Sequence, residues 1–333
     1  MTLYRRLIAL TTLITLVLIM LGAYVRLSDA GLGCPDWPGC YGKLTPAQAL
    51  ADISKAVQAQ GGDHGPVSMT KAWKEMAHRY IAMLIGLAIL AIAYLSIRHR
   101  LLLRQSPWLP LALLATVVVQ GLFGKWTVTL LLKPAIVTGH LIGGMLTFAL
   151  LVWLWQRQSH GPRPVDAEPV VAMTLALVLG LVILSLQIVL GGWVSTNYAA
   201  LACTDLPTCQ GQWWPPSNFA DAFHVIRELG KTGQGAQIDS QALTAIHLSH
   251  RVGAVIAASY LLWLGAKSSR VIELAWLGRA LIVLVLVQVL LGISNVWFSL
   301  PLAVAVSHNG VAALLVAVLV MLNFRAFEAR KQI

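Results

Sequence analysis

The chain has 333 residues, of which 58% are hydrophobic and only 11% charged, whereas soluble domains carry about 25% charged residues. That composition excludes a soluble globular domain and reads as an integral membrane protein. The net charge of +11 does not mark a nucleic-acid surface, because the bases sit at the ends of apolar runs instead of gathering in one patch.

In chain order, apolar runs of about 20 residues, the length that crosses a hydrocarbon core, fall at Leu7–Val25, Met76–Ile97, Trp108–Val128, Ala135–Trp155, Val170–Val194, Leu243–Leu264, Leu274–Trp297 and Leu302–Phe324. The sequence predicts eight membrane helices, with most of the twelve Trp near their ends, as an aromatic belt would place them. The first run follows Arg5 and Arg6 as in a signal peptide. It is too long for a signal core and no small-x-small site closes it, so it reads as a retained helix. Arg5, Arg6, Arg98, Arg100, Arg104, Arg157, Arg163, Lys267, Arg270, Arg325, Arg330 and Lys331 fall on one side of the helix count. By the positive-inside rule that side is the cytoplasm, with both termini in it. Two long loops, 27–75 and 195–242, then lie outside, each with a cysteine pair: Cys34 with Cys40, and Cys203 with Cys209.

An ungapped match lays Gly22–Cys40 (GAYVRLSDAGLGCPDWPGC) over Gly191–Cys209 (GGWVSTNYAALACTDLPTC) with eight identities in nineteen positions. The register continues from His78-Arg79 onto His250-Arg251, and from Gln120 and Gly124 onto Gln288 and Gly292. Shared apolar composition does not produce matched loop cysteines, so the sequence reads as a duplicated four-helix unit. Four being even, the halves run in the same orientation. The expected architecture is an all-α integral membrane protein of two parallel four-helix-bundle repeats, residues 1–160 and 161–333, related by a pseudo-two-fold axis along the membrane normal. Each long loop is also expected to carry a short amphipathic helix, either a lid over the bundle or a solvent-exposed segment. The first is capped by Thr45, followed by Pro46 and Gln48, and lines up Leu50, Ile53 and Val57. The second follows Ser217 and lines up Phe219, Phe223 and Ile226.

Ionisable side chains inside membrane helices are costly and mark function by default. His78, His140, His247, His250 and His308 lie near the outer ends of the even-numbered spans, within roughly 10 Å at 1.5 Å per residue. His99 and His160 fall in cytoplasmic loops. One histidine from each even span gives four imidazoles at one depth, which is what two six-coordinate haems need. Repeat symmetry also permits pairing across the halves, His78 with His308 and His140 with His250, and any single histidine could instead make an interhelical hydrogen bond. Zinc fits less well without an H-E-x-x-H or a close His/Cys cluster, and there is no C-x-x-C-H for covalent haem. In repeat register Glu75 matches His247, so one half has a carboxylate where the other has an imidazole. A carboxylate one turn from His78 suits proton movement or charge stabilisation during an oxidation, or simply the helix dipole. Arg79 and Arg251 suit haem propionates or serve as interfacial anchors.

At these residues the sequence resembles the haem A synthase family of bacterial and mitochondrial membranes. The likeness rests on GAYVRLSDAGLGCPDWP, Glu75-x-x-His78-Arg79, the TGH that ends at His140, His250-Arg251 and His308, and it covers essentially the whole chain. The resemblance implies oxidation of the C8 methyl group of haem O to a formyl group, by way of an alcohol, to give haem A for cytochrome oxidase. It implies a resident haem b held by His250 and His308, haem O flanked by His78 and His140, and Glu75 as the essential acidic residue. Haem O synthase is then the expected substrate donor, with an unidentified electron acceptor, membrane lipid and a homo-oligomer as further partners, and no nucleic acid. The lack of an Arg/Ser-rich leader points to a bacterial inner membrane. His247 has no place in the family pattern, which leaves two imidazoles of one helix as ligand candidates.

Two other functional classes fit less well. A b-type electron carrier needs haems near both faces of about 30 Å of membrane, whereas these histidines serve one face. A haem or small-molecule transporter places its binding residues at the midplane, which is apolar here. On the oxidising side of a bacterial envelope the cysteines are expected as two local disulfides, Cys34–Cys40 and Cys203–Cys209, each closing a loop to a gain of roughly 2 kcal/mol. A transient redox role for the first pair is the alternative. Some family members lack one or both pairs, which argues against universal catalytic cysteines.

Overall fold

The computed structural model describes residues 2–62, 65–103, 105–159 and 167–333; Arg104, His160 and Arg163, read above as cytoplasmic, lie outside the described residues. Among the described residues the chain forms α1 (Thr2–Leu27), α2 (Leu50–Ala59), α3 (Met69–Arg98), α4 (Arg100–Leu103), α5 (Trp108–Thr129), α6 (Pro134–Ser159), α7 (Ala167–Ala172), α8 (Thr174–Thr196), α9 (Phe219–Ala222), α10 (Ser240–Ser268), α11 (Ala275–Trp297) and α12 (Leu302–Arg330). Eight spans are long and apolar enough to cross a membrane, α7 and α8 together making one of them. The eight runs expected from composition are therefore all helices, and the protein is a multi-pass membrane protein.

Two spans begin earlier than their apolar runs. The Ser68 hydroxyl accepts from the Lys71 N–H (3.3 Å) at the start of α3, and the Asp239 carboxylate accepts from the Ala242 N–H (2.7 Å) at the start of α10. Each cap satisfies an otherwise orphaned amide, so about two turns precede the apolar stretch in α3 and just under one in α10. The expectation that all the histidines lie within 10 Å of a helix start is corrected here. His78 and His250 stand nine and ten residues beyond the first residues of α3 and α10, about 14–15 Å along the axis.

α1 packs on α6 and α12, and α8 packs on the same two helices; α3 and α5 flank one side of this centre, α10 and α11 the other. One apolar core collects Ile8, Ile85, Ile89, Leu113, Leu151 and Leu154. The other is built around Leu177, Leu261, Leu264, Leu277, Leu281 and Leu319. α12 is the spine: 72% of its apolar window is buried against 33% for α6, and Asn323 donates to the Leu177 carbonyl at 3.0 Å inside it. Leu84, Leu87, Val255 and Leu290 face outward, a surface that lipid solvates.

With eight crossings, both termini lie at one end and the two long loops at the other. Ten left-handed backbone positions of the loop end fall in five pairs, Asp29 and Tyr198, Tyr41 and Gln210, Gly42 and Gly211, Leu131 and Ser299, Leu132 and Leu300, whereas Gly61, Gly62, Gly230 and Gly235 fall outside these pairs. Cys34–Cys40 and Cys203–Cys209 are disulfides, each with Cα atoms 4.8 Å apart, and each is followed by a bridge, Cys40 with Lys43 and Cys209 with Gln212. The turns after α1 and α8 meet each other. Arg26 donates to the Ser195 carbonyl (2.8 Å) and lies 4.0 Å over the Tyr198 ring, whose hydroxyl donates to Asp29 (2.8 Å).

The two loop helices depart from expectation. Gln48 Oε1 accepts from the Leu44 and Thr45 N–H groups at 3.2 Å, but the helix expected from Thr45 begins only at Leu50, after Ala49 and without a side-chain cap; Ile53 is its buried residue and Leu50 is 57% exposed. In the second loop only the four residues of α9 are helical, capped by Asn218, and Phe219, Phe223 and Ile226 are all exposed. There the Trp193 indole N–H takes the Ala222 carbonyl (2.8 Å), an acceptor that a further turn would need.

Candidate functional site

His78 on α3 faces His140 on α6, with ring centroids 6.4 Å apart. His250 on α10 lies within electrostatic reach of His308 on α12, as His78 does of His140. Of the two pairings that repeat symmetry allowed, the structure brings together His78 and His140 of the first half. Each ring leans on a glycine of a neighbouring helix. A Cβ at Gly22 or Gly191 would meet Cε1 of His78 or His250 at 3.0 Å, and one at Gly124 or Gly292 would meet Cε1 of His140 or His308 at 3.4 and 3.3 Å. Glycine is the side chain that leaves room for these imidazoles. The matched glutamines differ: Gln120 donates to the His140 backbone carbonyl (2.5 Å), whereas the Gln288 amide nitrogen lies 3.3 Å from the His308 ring nitrogen Nε2.

This donor set fits a haem. An iron held between His78 and His140 by metal–nitrogen bonds of about 2 Å, plus about 1 Å from each ring centre to its nitrogen, would need imidazole centres about 6 Å apart. The His78–His140 separation of 6.4 Å matches. Nδ1 of His78, His140 and His308 is buried without a partner among the described residues, so these rings are not held by interhelical hydrogen bonds through that nitrogen.

His247 is used differently from His250. Its Nδ1 lies 3.2 Å from the Cys203 N–H and its Nε2 3.3 Å from Arg251 Nε. A neutral imidazole has one acceptor nitrogen, so one of these two is a hydrogen bond at a time, and either way the ring serves the cysteine loop. Glu75 does the same in the first half: its carboxylate accepts from the Cys34 N–H (3.0 Å) and pairs with Arg79. The positions that differ chemically between the halves are therefore loop anchors in both.

The arginines beside the ligand candidates also turn to the loops. Arg79 Nη1 donates to the carbonyls of Asp36 (2.8 Å) and Gly39 (2.5 Å), and Arg251 donates to those of Asp205, Thr208 and Cys203, each at 2.8 Å. A propionate role for either would have to displace these carbonyls. Asp205 completes its loop. Its carboxylate accepts from the Thr208 hydroxyl (2.6 Å) and the N–H groups of Gln210 (2.6 Å) and Gly211 (3.0 Å), which hold its pKa down to about 2. Asp36 does the same from Tyr41 and Gly42.

Sequence reasoning did not single out Gly22, Gly191 or Gln187. The glycines were visible as the first matched pair of the repeat. Gln187, whose amide nitrogen is 2.9 Å from His250 Nδ1, was visible only as a polar residue inside an apolar run.

Fold and site together define a multi-pass helical membrane protein with a facing histidine pair, His78 and His140, and a matched set, His250 and His308, beneath paired disulfide loops. Residues 5–320 match the model of the COX15-CtaA family, described as cytochrome oxidase assembly protein. The chain is 44% identical over 321 residues to a protein of Shewanella oneidensis named "Heme A synthase", covering 96% of this chain and 95% of that one. Proteins of the same name from Rhizorhabdus wittichii (27% identical; 93% and 90% covered) and Halalkalibacterium halodurans (25%; 93% and 91%) match along nearly their whole length. The chain belongs to the COX15-CtaA family.

Proposed function

We propose that the protein is a haem A synthase, which oxidises the C8 methyl group of haem O to a formyl group through an alcohol. The observation that carries this is the pair of facing imidazoles, 6.4 Å apart, in a chain 44% identical to a relative of that name. His78 and His140 flank the substrate haem O in the first half. His250 and His308 hold a resident haem b in the second, where the bound group would supply electron transfer. Oxidation of a methyl group releases protons, and Glu75, one turn before His78, is the carboxylate placed to receive one. Its contacts with the Cys34 N–H and Arg79 fix its position. The disulfide loops, clamped by Arg79 and Arg251, cover this end of the bundle and exclude water from it.

The halves descend from a duplication, supported by the paired left-handed residues and the matched glycine seats. The protein sits in a bacterial inner membrane with its termini in the cytoplasm and its long loops outside, and takes haem O from haem O synthase. The test is expression in cells that make haem O but lack their own haem A synthase, followed by chromatography of extracted haems. Haem A or its alcohol precursor is expected; stable haem binding with neither product refutes the proposal.

A further inference from the structure

We infer that Gln187 locks the His250 imidazole and so makes the second-half site the one that retains its haem, whereas Leu18, its repeat equivalent, leaves His78 free to release one. This rests on the proposed function and deepens it.

The two rings sit alike. From the Cβ position of Gly22 the atoms Cε1, Nδ1 and Nε2 of His78 lie at 3.0, 3.6 and 3.8 Å; from that of Gly191 the same atoms of His250 lie at 3.0, 3.6 and 3.7 Å. What differs is the partner of Nδ1. Gln187 places its amide nitrogen 2.9 Å from His250 Nδ1 and 3.0 Å from the His250 carbonyl, while Nδ1 of His78 is buried with no partner among the described residues. In the ungapped register that matches Gly22 with Gly191, Gln187 falls on Leu18.

An imidazole that binds metal through Nε2 carries its proton on Nδ1 and is held best by an acceptor there. Gln187 carries that acceptor: its Oε1 is buried and unpartnered, and a half-turn of the amide, which gives up the bond to the His250 carbonyl, turns oxygen in place of nitrogen toward Nδ1. Leucine offers no acceptor. One ligand ring is therefore fixed in orientation and the other is held by packing alone, which suits a group that stays and a product that must leave.

The experiment follows transfer of haem from the purified protein in detergent to excess apomyoglobin. Two phases are expected, the slow one absent from His308→Ala. Gln187→Leu should speed the slow phase about five-fold, the scale of one hydrogen bond. Leu18→Gln should slow the fast phase by a similar factor, a gain that damage to the fold does not produce. Unchanged rates in both variants, with the slow phase still dependent on His308, overturn the role of Gln187 and leave the two-site function standing. A wild-type protein with no His308-dependent slow phase overturns the two-site function and this inference with it.

Discussion

Replacing Gly191 or Gly22 with alanine tests whether the glycine seats set the position of the ligand rings. A methyl carbon at either glycine would stand 3.0 Å from Cε1 of His250 or His78. Carbon atoms pack at about 3.5–4.0 Å, so each ring must retreat by about 0.5–1 Å. Overpacking on this scale costs about 1–3 kcal/mol, a factor of about 5 to 160 in binding. Both glycines are helical, so alanine introduces no backbone strain. Gly121 on α5, whose Cβ would meet nothing within 4 Å, is the matched control. Gly191→Ala should purify with depleted haem b; Gly22→Ala should keep haem b and convert haem O poorly; Gly121→Ala should do neither. Haem per protein from pyridine haemochrome spectra, with chromatography of haems from cells making haem O, reads both effects. A Gly191→Ala protein with a full complement of haem and an unchanged spectrum would refute the placement of the resident group against His250.

Glu75→Gln is expected to retain haem b and abolish haem A formation; loss of all haem would make Glu75 an anchor of the Cys34 loop alone. His308→Ala should deplete the resident haem, and an unchanged haem spectrum would move that ligand elsewhere. Cys34→Ser with Cys40→Ser should leave haem A formation intact while lowering stability by about 2 kcal/mol, seen as a reduced Tm in detergent. Lost conversion at an unchanged Tm would give the pair a redox part. Asp205, with a pKa lowered to about 2 from an unfolded value of about 4, contributes loop stability that is complete above about pH 4 and lost as pH falls through about 2. At pH 4 pepsin should therefore cut the 203–212 loop of Asp205→Asn faster than that of the wild type, and at pH 2 the two rates should converge; equal rates at pH 4 contradict the assignment.

The spans were legible because lipid imposes a length and a composition on them. Their true starts were not, because Ser68 and Asp239 extend α3 and α10 through polar turns that a hydropathy pattern does not register. Matched cysteines and histidines exposed the repeat, but the pattern could not say whether imidazoles paired within or across halves; that depends on which helices pack. His247 and His250, three residues apart, share much of a helical face, and only the descent of the cysteine loop onto α10 separates a loop anchor from a facing imidazole. Leu18 and Gln187 stand at matched positions of apolar runs, and only the placement of His250 Nδ1 beside Gln187 gives the difference a chemical meaning.

The meeting of Arg26 with Ser195, and of Asp29 with Tyr198, carries an evolutionary consequence. In the register of the repeat these are equivalent positions, and a residue touches its own equivalent only beside a two-fold axis. In a homodimer each such contact joins two identical side chains, so a cation there faces a cation and every substitution is made twice. On the proposed duplication, fusion lets the two copies diverge separately: Tyr198 sets a ring against Arg26 and a hydroxyl against Asp29, where a homodimer would repeat the aspartate. On that same proposal, the release from identity lets position 75 hold a carboxylate while position 247 holds an imidazole, so that two copies of one unit can take separate tasks.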